Sequence, residues 1–334
     1  MSIQQKTTYT FLMASVIGLA GVAKAEVSPN LEIKGKVWAQ FTADMTSGAA
    51  THKSGFDLDR TIFQANYKFN DMWTSTLMFD SARTGAVANY LGAYVKNAYL
   101  QKNGLIGDGS FLRFGLQPTA YTAKVDSELK TRWLGKSLVD QTALVPTHDG
   151  GVTLSGASEG VGYGLEVRNG VEGLTSPGAS DEAMAYDAWL SYGMAPAEGQ
   201  KVDLTLYGSF RSKSATAGVA KRNVYAGALT FQHSMADFGV EVASVNNNDV
   251  TALGYGATAN IRFVEDFSLY ARMFMGNDNF KTSYLGGKML LTAGLTHACL
   301  KDKVSAALLY ETKTSNTAGA NATSTVYWKW AANF

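Results

Sequence analysis

The chain has 334 residues, with 29 Lys and Arg against 28 Asp and Glu, a formal charge of +1. That balance excludes the strongly basic footprint of a nucleic-acid binder. Its single cysteine, Cys299, excludes an internal disulfide, and beyond the N-terminal stretch there is no run of 18 apolar residues to make a spanning helix.

The N-terminus reads as a secretory signal. A short basic segment ending at Lys6 precedes an apolar run from Phe11 to Val22, and Ala23-Lys24-Ala25 fits an A-x-A cleavage site. We expect residues 1–25 to be removed after Ala25, leaving a domain of residues 26–334. Loss of Lys6 and Lys24 with no acid takes the formal charge from +1 to −1. The chain holds 16 Tyr, 16 Phe, 6 Trp and 34 Gly but only 5 Pro, which favours extended ladders.

Alternation begins at once. Leu31, Ile33, Val37, Ala39 and Phe41 share one face and Glu32, Lys34, Lys36 and Gln40 the other, the period of a strand with one apolar side. A second strand runs over 56–69 with Phe63, Ala65, Tyr67 and Phe69 outward, and Asn70-Asp71 turns the chain into a third that starts at Trp73. A fourth, 93–102, has an ambiguous phase; the fifth, 110–117, sets Leu112, Phe114 and Leu116 against Arg113, Gly115 and Gln117. Further strands are read over 150–157, 161–170, 183–194, 200–211, 222–234, 237–245, 250–264, 266–276, 286–298, 303–313 and 324–334. About sixteen strands result, in an all-β chain whose connections alternate between short turns flanked by aromatics and long polar loops. The architecture expected is a transmembrane antiparallel β-barrel of about 16 strands, seated in the lipid bilayer of a bacterial outer membrane.

Pro118 to Asp149 breaks the pattern with about 30 residues lacking strand alternation, and an interval that long in a compact domain is functional or argues against its neighbours' assignment. We read 118–149 as a third external loop folded into the lumen, a constriction carrying Lys124, Asp126, Glu128, Lys130, Arg132 and Lys136. Ser127 is placed to cap a short helix whose apolar side is Leu129, Trp133 and Leu138. At the C-terminus Trp328, Trp330 and Phe334 form an outward aromatic row on the strand that must pair with the first.

A lipid-facing charge costs about 2–4 kcal/mol at the midplane, so strand charges belong in the lumen. These include Lys34, Lys36, Arg60, Lys68, Arg113, Arg168, Arg211, Arg262, Arg272 and Lys329, with Glu32, Asp80, Glu166, Asp203, Glu241 and Glu311. Lys329, Lys36 and Arg60 fall on strands that become neighbours on closure and read as one basic stripe. Such charges either select anions or merely solvate a water-filled wall; weak anion preference is the expectation.

The signal segment, the strand count, the long third loop and the terminal Phe together resemble Gram-negative porins. Leu112-Arg113-Phe114-Gly115-Leu116, Arg132-Trp133-Leu134-Gly135-Lys136-Ser137-Leu138 and His148-Asp149-Gly150-Gly151-Val152 resemble the phosphate-selective porin O/P group. The resemblance implies a homotrimer that passes ions and small hydrophilic solutes, with Trp328, Trp330 and Phe334 as a membrane-insertion signal. No cofactor, metal or catalytic residue is expected. His52, His148, His233 and His297 lack metal-ligand spacing, no G-x-S-x-G elbow accompanies His148-Asp149, and Gly254-Tyr255-Gly256 lacks a nucleotide-site context. A lipase-like barrel enzyme and a plugged structural or adhesive barrel are the alternatives to a channel.

Overall fold

A computed structural model describes residues 28–49, 51–83, 91–170, 184–212, 221–247, 250–300, 303–316 and 320–334; the expected signal peptide lies outside the described residues. Sixteen strands close on themselves, each hydrogen-bonded to its neighbour in sequence and β1 to β16. They are β1 (Leu31–Asp44), β2 (Ser54–Lys68), β3 (Trp73–Arg83), β4 (Leu91–Asn103), β5 (Phe111–Pro118), β6 (His148–Ser158), β7 (Val161–Arg168) and β8 (Ala185–Met194). The second half comprises β9 (Lys201–Arg211), β10 (Arg222–Gln232), β11 (Ala236–Asn247), β12 (Val250–Val264), β13 (Phe267–Gly276), β14 (Met289–Leu300), β15 (Val304–Lys313) and β16 (Thr323–Asn333). Closure gives every strand a hydrogen-bonded neighbour on each side, so the sheet has no edge strand.

The faces are inverted relative to a water-soluble domain. On β9, Leu204, Leu206 and Phe210 are exposed outside while Asp203, Thr205, Tyr207 and Ser209 are buried inside. On β11, Phe238, Val240 and Val242 face out and Asp237, Glu241, Ala243 and Val245 face in. A period of two with apolar residues outward is what a bilayer demands of a barrel. The two chain ends meet, with Gly35 N–H donating to the Phe334 carbonyl at 2.7 Å and the reverse bond at 3.0 Å. Trp328 and Phe334 are exposed on the outer face, and the Trp328 and Trp330 rings lie 4.5 Å apart.

Two register shifts bear on the strand phases, and the second explains the ambiguous phase of the fourth strand. The β1–β2 register shifts between Trp38 and Ala39, and the β3–β4 register between Met78 and Phe79. Each bulge puts one extra residue, Asp59 or Lys96, into its strand and reverses which parity faces inward. The β14 strand begins at Met289 rather than at 286. Before it, a short helix (Asp278–Phe280) and a π turn (Lys281–Leu285) fold inward, started by the Asn277 side chain accepting from Phe280 N–H at 2.9 Å. Burial of Phe280 and Leu285 in the interior core outweighs the strand tendency there.

Candidate constriction site

Between β5 and β6 the chain enters the barrel as two helices, α1 (Ala120–Leu129) and α2 (Leu138–Gln141). Tyr121, Val125 and Leu129 recur every four residues, so α1 presents one apolar face. That face joins Leu138, Val139, Leu144 and Val145 of the loop in a core with Tyr207, Val224, Ala226, Ala228, Ala243 and Val245 of the wall. The wall is cut back to receive it: a Cβ at Gly239 would collide with Leu129, and one at Gly256 would crowd Leu138. The helix starts from Thr119, not Ser127, whose hydroxyl instead donates to the Lys124 carbonyl at 2.7 Å. The expected capping role of Ser127 is therefore corrected: the apolar spacing that matters begins at Tyr121, six residues earlier.

Polar groups staple the same side. Glu166 of β7 accepts from the Ala120 N–H at 3.4 Å, placing a carboxylate at the α1 N-terminus, and Glu241 of β11 accepts from Leu138 N–H at 3.0 Å. Glu128 accepts from Lys124 at 2.9 Å, Lys201 at 2.8 Å and Gln232 at 2.6 Å. Burial alone would raise the Glu128 carboxyl; hydrogen bonds from Lys201 and Lys124 outweigh it and hold the group below the usual carboxylate range. Lys124 also lies 3.5 Å from Asp203. Lys124 and Glu128, expected to line the constriction, thus face the barrel wall and anchor the loop. Toward the long-loop end of the same wall Arg168 bonds to Asp187 at 2.7 Å and Asp149 at 3.3 Å, and Tyr207 donates to Asp187 at 2.8 Å.

The elbow after α1 faces the other way. Arg132 is held by Asp126 at 2.9 Å and Asp140 at 2.6 Å; Lys136 lies 3.7 Å from Asp140 and stays half exposed. Opposite stand Trp38, Gln40, Asp59, Arg272, Glu311, Tyr327 and Lys329, around a cavity of about 260 Å³. Arg272 is paired with Glu311 at 3.2 Å and donates to the Lys136 carbonyl at 3.0 Å. The Arg60 guanidinium lies 5.4 Å from the Trp38 ring centroid and bonds to Asp80, which also receives Lys96 at 3.0 Å. Lys329 sits 5.3 Å from the Tyr327 ring and forms no ion pair among the described residues. Arg60, Lys96, Arg132, Lys136, Arg272 and Lys329 thus meet Asp59, Asp80, Asp126, Asp140 and Glu311, and Asp57, opposite Gln40 on the β1–β2 ladder, adds a further carboxylate, so the two signs are close to balance.

The expected basic stripe is only partly gathered. Lys329 pairs across the ladder with Gln40 and Arg60 with Trp38, but Lys36 is opposite Asn333, roughly 13 Å along the strand from Gln40 at the usual rise per residue. Lys36 therefore stands toward the turn end and leaves the constriction, a correction to its expected place. Arg113 lies in a vestibule of about 530 Å³ at that same end, 4.4 Å from the Tyr99 ring and 4.6 Å from Phe111. Lys130 borders a cavity of about 180 Å³ beside Glu265, Asp266 and His297, also at the turn end. Sequence reading missed Lys96, Asp59, Trp38 and Tyr327. The signal for the first two was present: outward apolar residues switch from even (Phe56, Leu58) to odd (Phe63, Ala65) on β2.

No family model matches the sequence, and no curated protein sequence matches it. Solved structures do match. OprB of Pseudomonas putida superposes with a TM-score of 0.69 at 7% identity, over 91% of this chain and 94% of that one. An anion-selective porin from Comamonas acidovorans gives 0.64 at 10% identity, over 91% and 99%. OmpF of Salmonella typhi gives 0.65 at 12% identity, over 91% and 97%. The fold is porin-like. In this porin-like barrel α1 lines β9–β11 and α2 lies along β11 and β12, and the cavity of about 260 Å³ lies between the Arg132–Lys136 elbow and residues of β1, β2 and β13–β16.

Proposed function

We propose that the protein is an outer-membrane porin, a water-filled channel for passive diffusion of ions and small hydrophilic solutes with a weak anion preference. One observation carries the reading: a loop stapled inside a closed barrel turns a charged elbow toward a charged wall and leaves a cavity between them. Rings of basic side chains favour anions, and the near balance of cations with carboxylates keeps that preference mild. The test is conductance in planar bilayers under a KCl gradient. We expect steady ohmic steps and a reversal potential displaced modestly toward that of chloride; absence of conductance refutes the channel, and displacement toward potassium refutes the preference.

Three finer points belong to the same proposal. The motifs at 112–116, 132–138 and 148–152 support kinship with the phosphate-selective porin O/P group, while the mixed charge of the elbow favours general anions over a dedicated phosphate filter. Export follows removal of residues 1–25, so the N-terminus of purified protein should read Glu26 on sequencing. Homotrimeric assembly follows from the resemblance; cross-linking in detergent should give a ladder ending at three protomers.

Acid should strengthen the anion preference. Burial pushes the Asp126 carboxyl up to about 6, against the pull of Arg132 and with the support of Asp140. Above that value Asp126 is charged; below it the elbow loses one negative charge, and the balance moves toward positive. The chloride-to-potassium permeability ratio is expected to rise as pH falls through about 6, and Asp126→Asn to hold the high ratio throughout.

A further inference from the structure

Aromatic surface that faces a water-filled cavity is unfavourable unless something covers it. Yet three aromatic side chains converge on the constriction cavity: Trp38 from β1, Tyr327 from β16 and Trp133 from the elbow, each only partly buried. Trp133 and Tyr327 rest against a small apolar cluster of Leu134, Tyr270, Ala307 and Leu309, which fixes them to the loop and wall. Beside them is the one kind of charge such a site needs. Arg272 is engaged by Glu311 and Arg132 by two aspartates, whereas Lys329 has Asp59 and Glu311 in its neighbourhood but no carboxylate within ion-pair distance among the described residues. Gln40, its partner across the β1–β16 ladder, adds an amide on the same rim.

We propose that this constriction is a subsite for organic monocarboxylates that carry a flat ring. The inference rests on the channel reading above and names its solute class. The ring of such a solute stacks between aromatic faces, and its carboxylate meets Lys329 and the Gln40 amide. Asp59 and Glu311 on the same rim repel a second carboxylate, which sets monocarboxylates apart from dicarboxylates. A sugar would find the stacking faces but would add no anion within ion-pair distance of Lys329.

The test is block of the chloride current through single channels by added benzoate, hexanoate, phthalate or glucose. Benzoate is expected to halve the current at a concentration about fivefold lower than hexanoate, through the extra stacking contacts, and glucose to act only at far higher levels. Trp38→Leu should bring benzoate and hexanoate together. Lys329→Gln should weaken block by both acids and leave glucose unchanged. A conducting channel in which benzoate is no better than hexanoate, or in which glucose or phthalate matches benzoate, overturns the subsite while the channel reading stands. Absence of any chloride current overturns both.

Discussion

Deletion of Asp126–Asp140 is expected to raise single-channel conductance by at least about twofold and to remove the pH step in selectivity, because the segment removed narrows the passage and carries its titrating charge. The deletion takes away Arg132, Trp133 and Lys136, which form one side of the constriction cavity. It also takes away Asp126, whose carboxyl titrates near 6. The barrel itself should persist, since its ladders are strand to strand and none runs through the loop. The wall it uncovers is apolar at Ala243 and Val245, so some loss of stability should accompany the wider pore. Conductance measured in the same salt for both proteins decides the matter; unchanged steps would show that the elbow does not narrow the channel.

The second large effect is on stability. Arg168→Met should destabilise the barrel by about 3–5 kcal/mol, the range for removing one partner of a buried ionic network. Arg168 holds Asp149 and Asp187, and both carboxylate side chains are fully buried, so neither can be rescued by water. Ser209 and Tyr207 also lean on this cluster, at 3.2 Å from Arg168 and 2.8 Å from Asp187. Urea unfolding in lipid vesicles would measure the loss. Arg168→Met combined with Asp187→Leu should recover part of it, because one stranded charge goes with its partner. Arg60→Met is the control: Asp80 keeps Lys96 at 3.0 Å, so the loss there should be smaller. Equal losses at the two arginines would contradict the network account.

Strand positions were legible because alternation is a local property. Each strand must put apolar side chains into lipid and polar ones inside, so nearly every boundary could be read from a period of two. The Met289 start was the exception, since the inward turn at 277–285 is held by Phe280 and Leu285 packing against distant wall residues. The phase reversals on β2 and β4 were visible as switches of parity. Only the pairing register revealed that Asp59 and Lys96 are the inserted residues and that Lys96 shares Asp80 with Arg60.

The loop divides the two kinds of knowledge most sharply. From the sequence alone its location, its length and its mixed charge followed, because a stretch without alternation cannot be a spanning strand. Which of its charges face the passage did not. Lys124 and Glu128 look like pore charges until Lys201, Asp203 and Gln232, more than 70 residues away, are found to claim them. Arg132 and Lys136 border the cavity because Trp133 and Leu134 between them pack on Tyr270, Ala307 and Leu309 of the wall. Sequence determined that a charged loop enters a closed barrel. Only the tertiary structure decided its side, since docking depends on contacts between residues far apart in the chain.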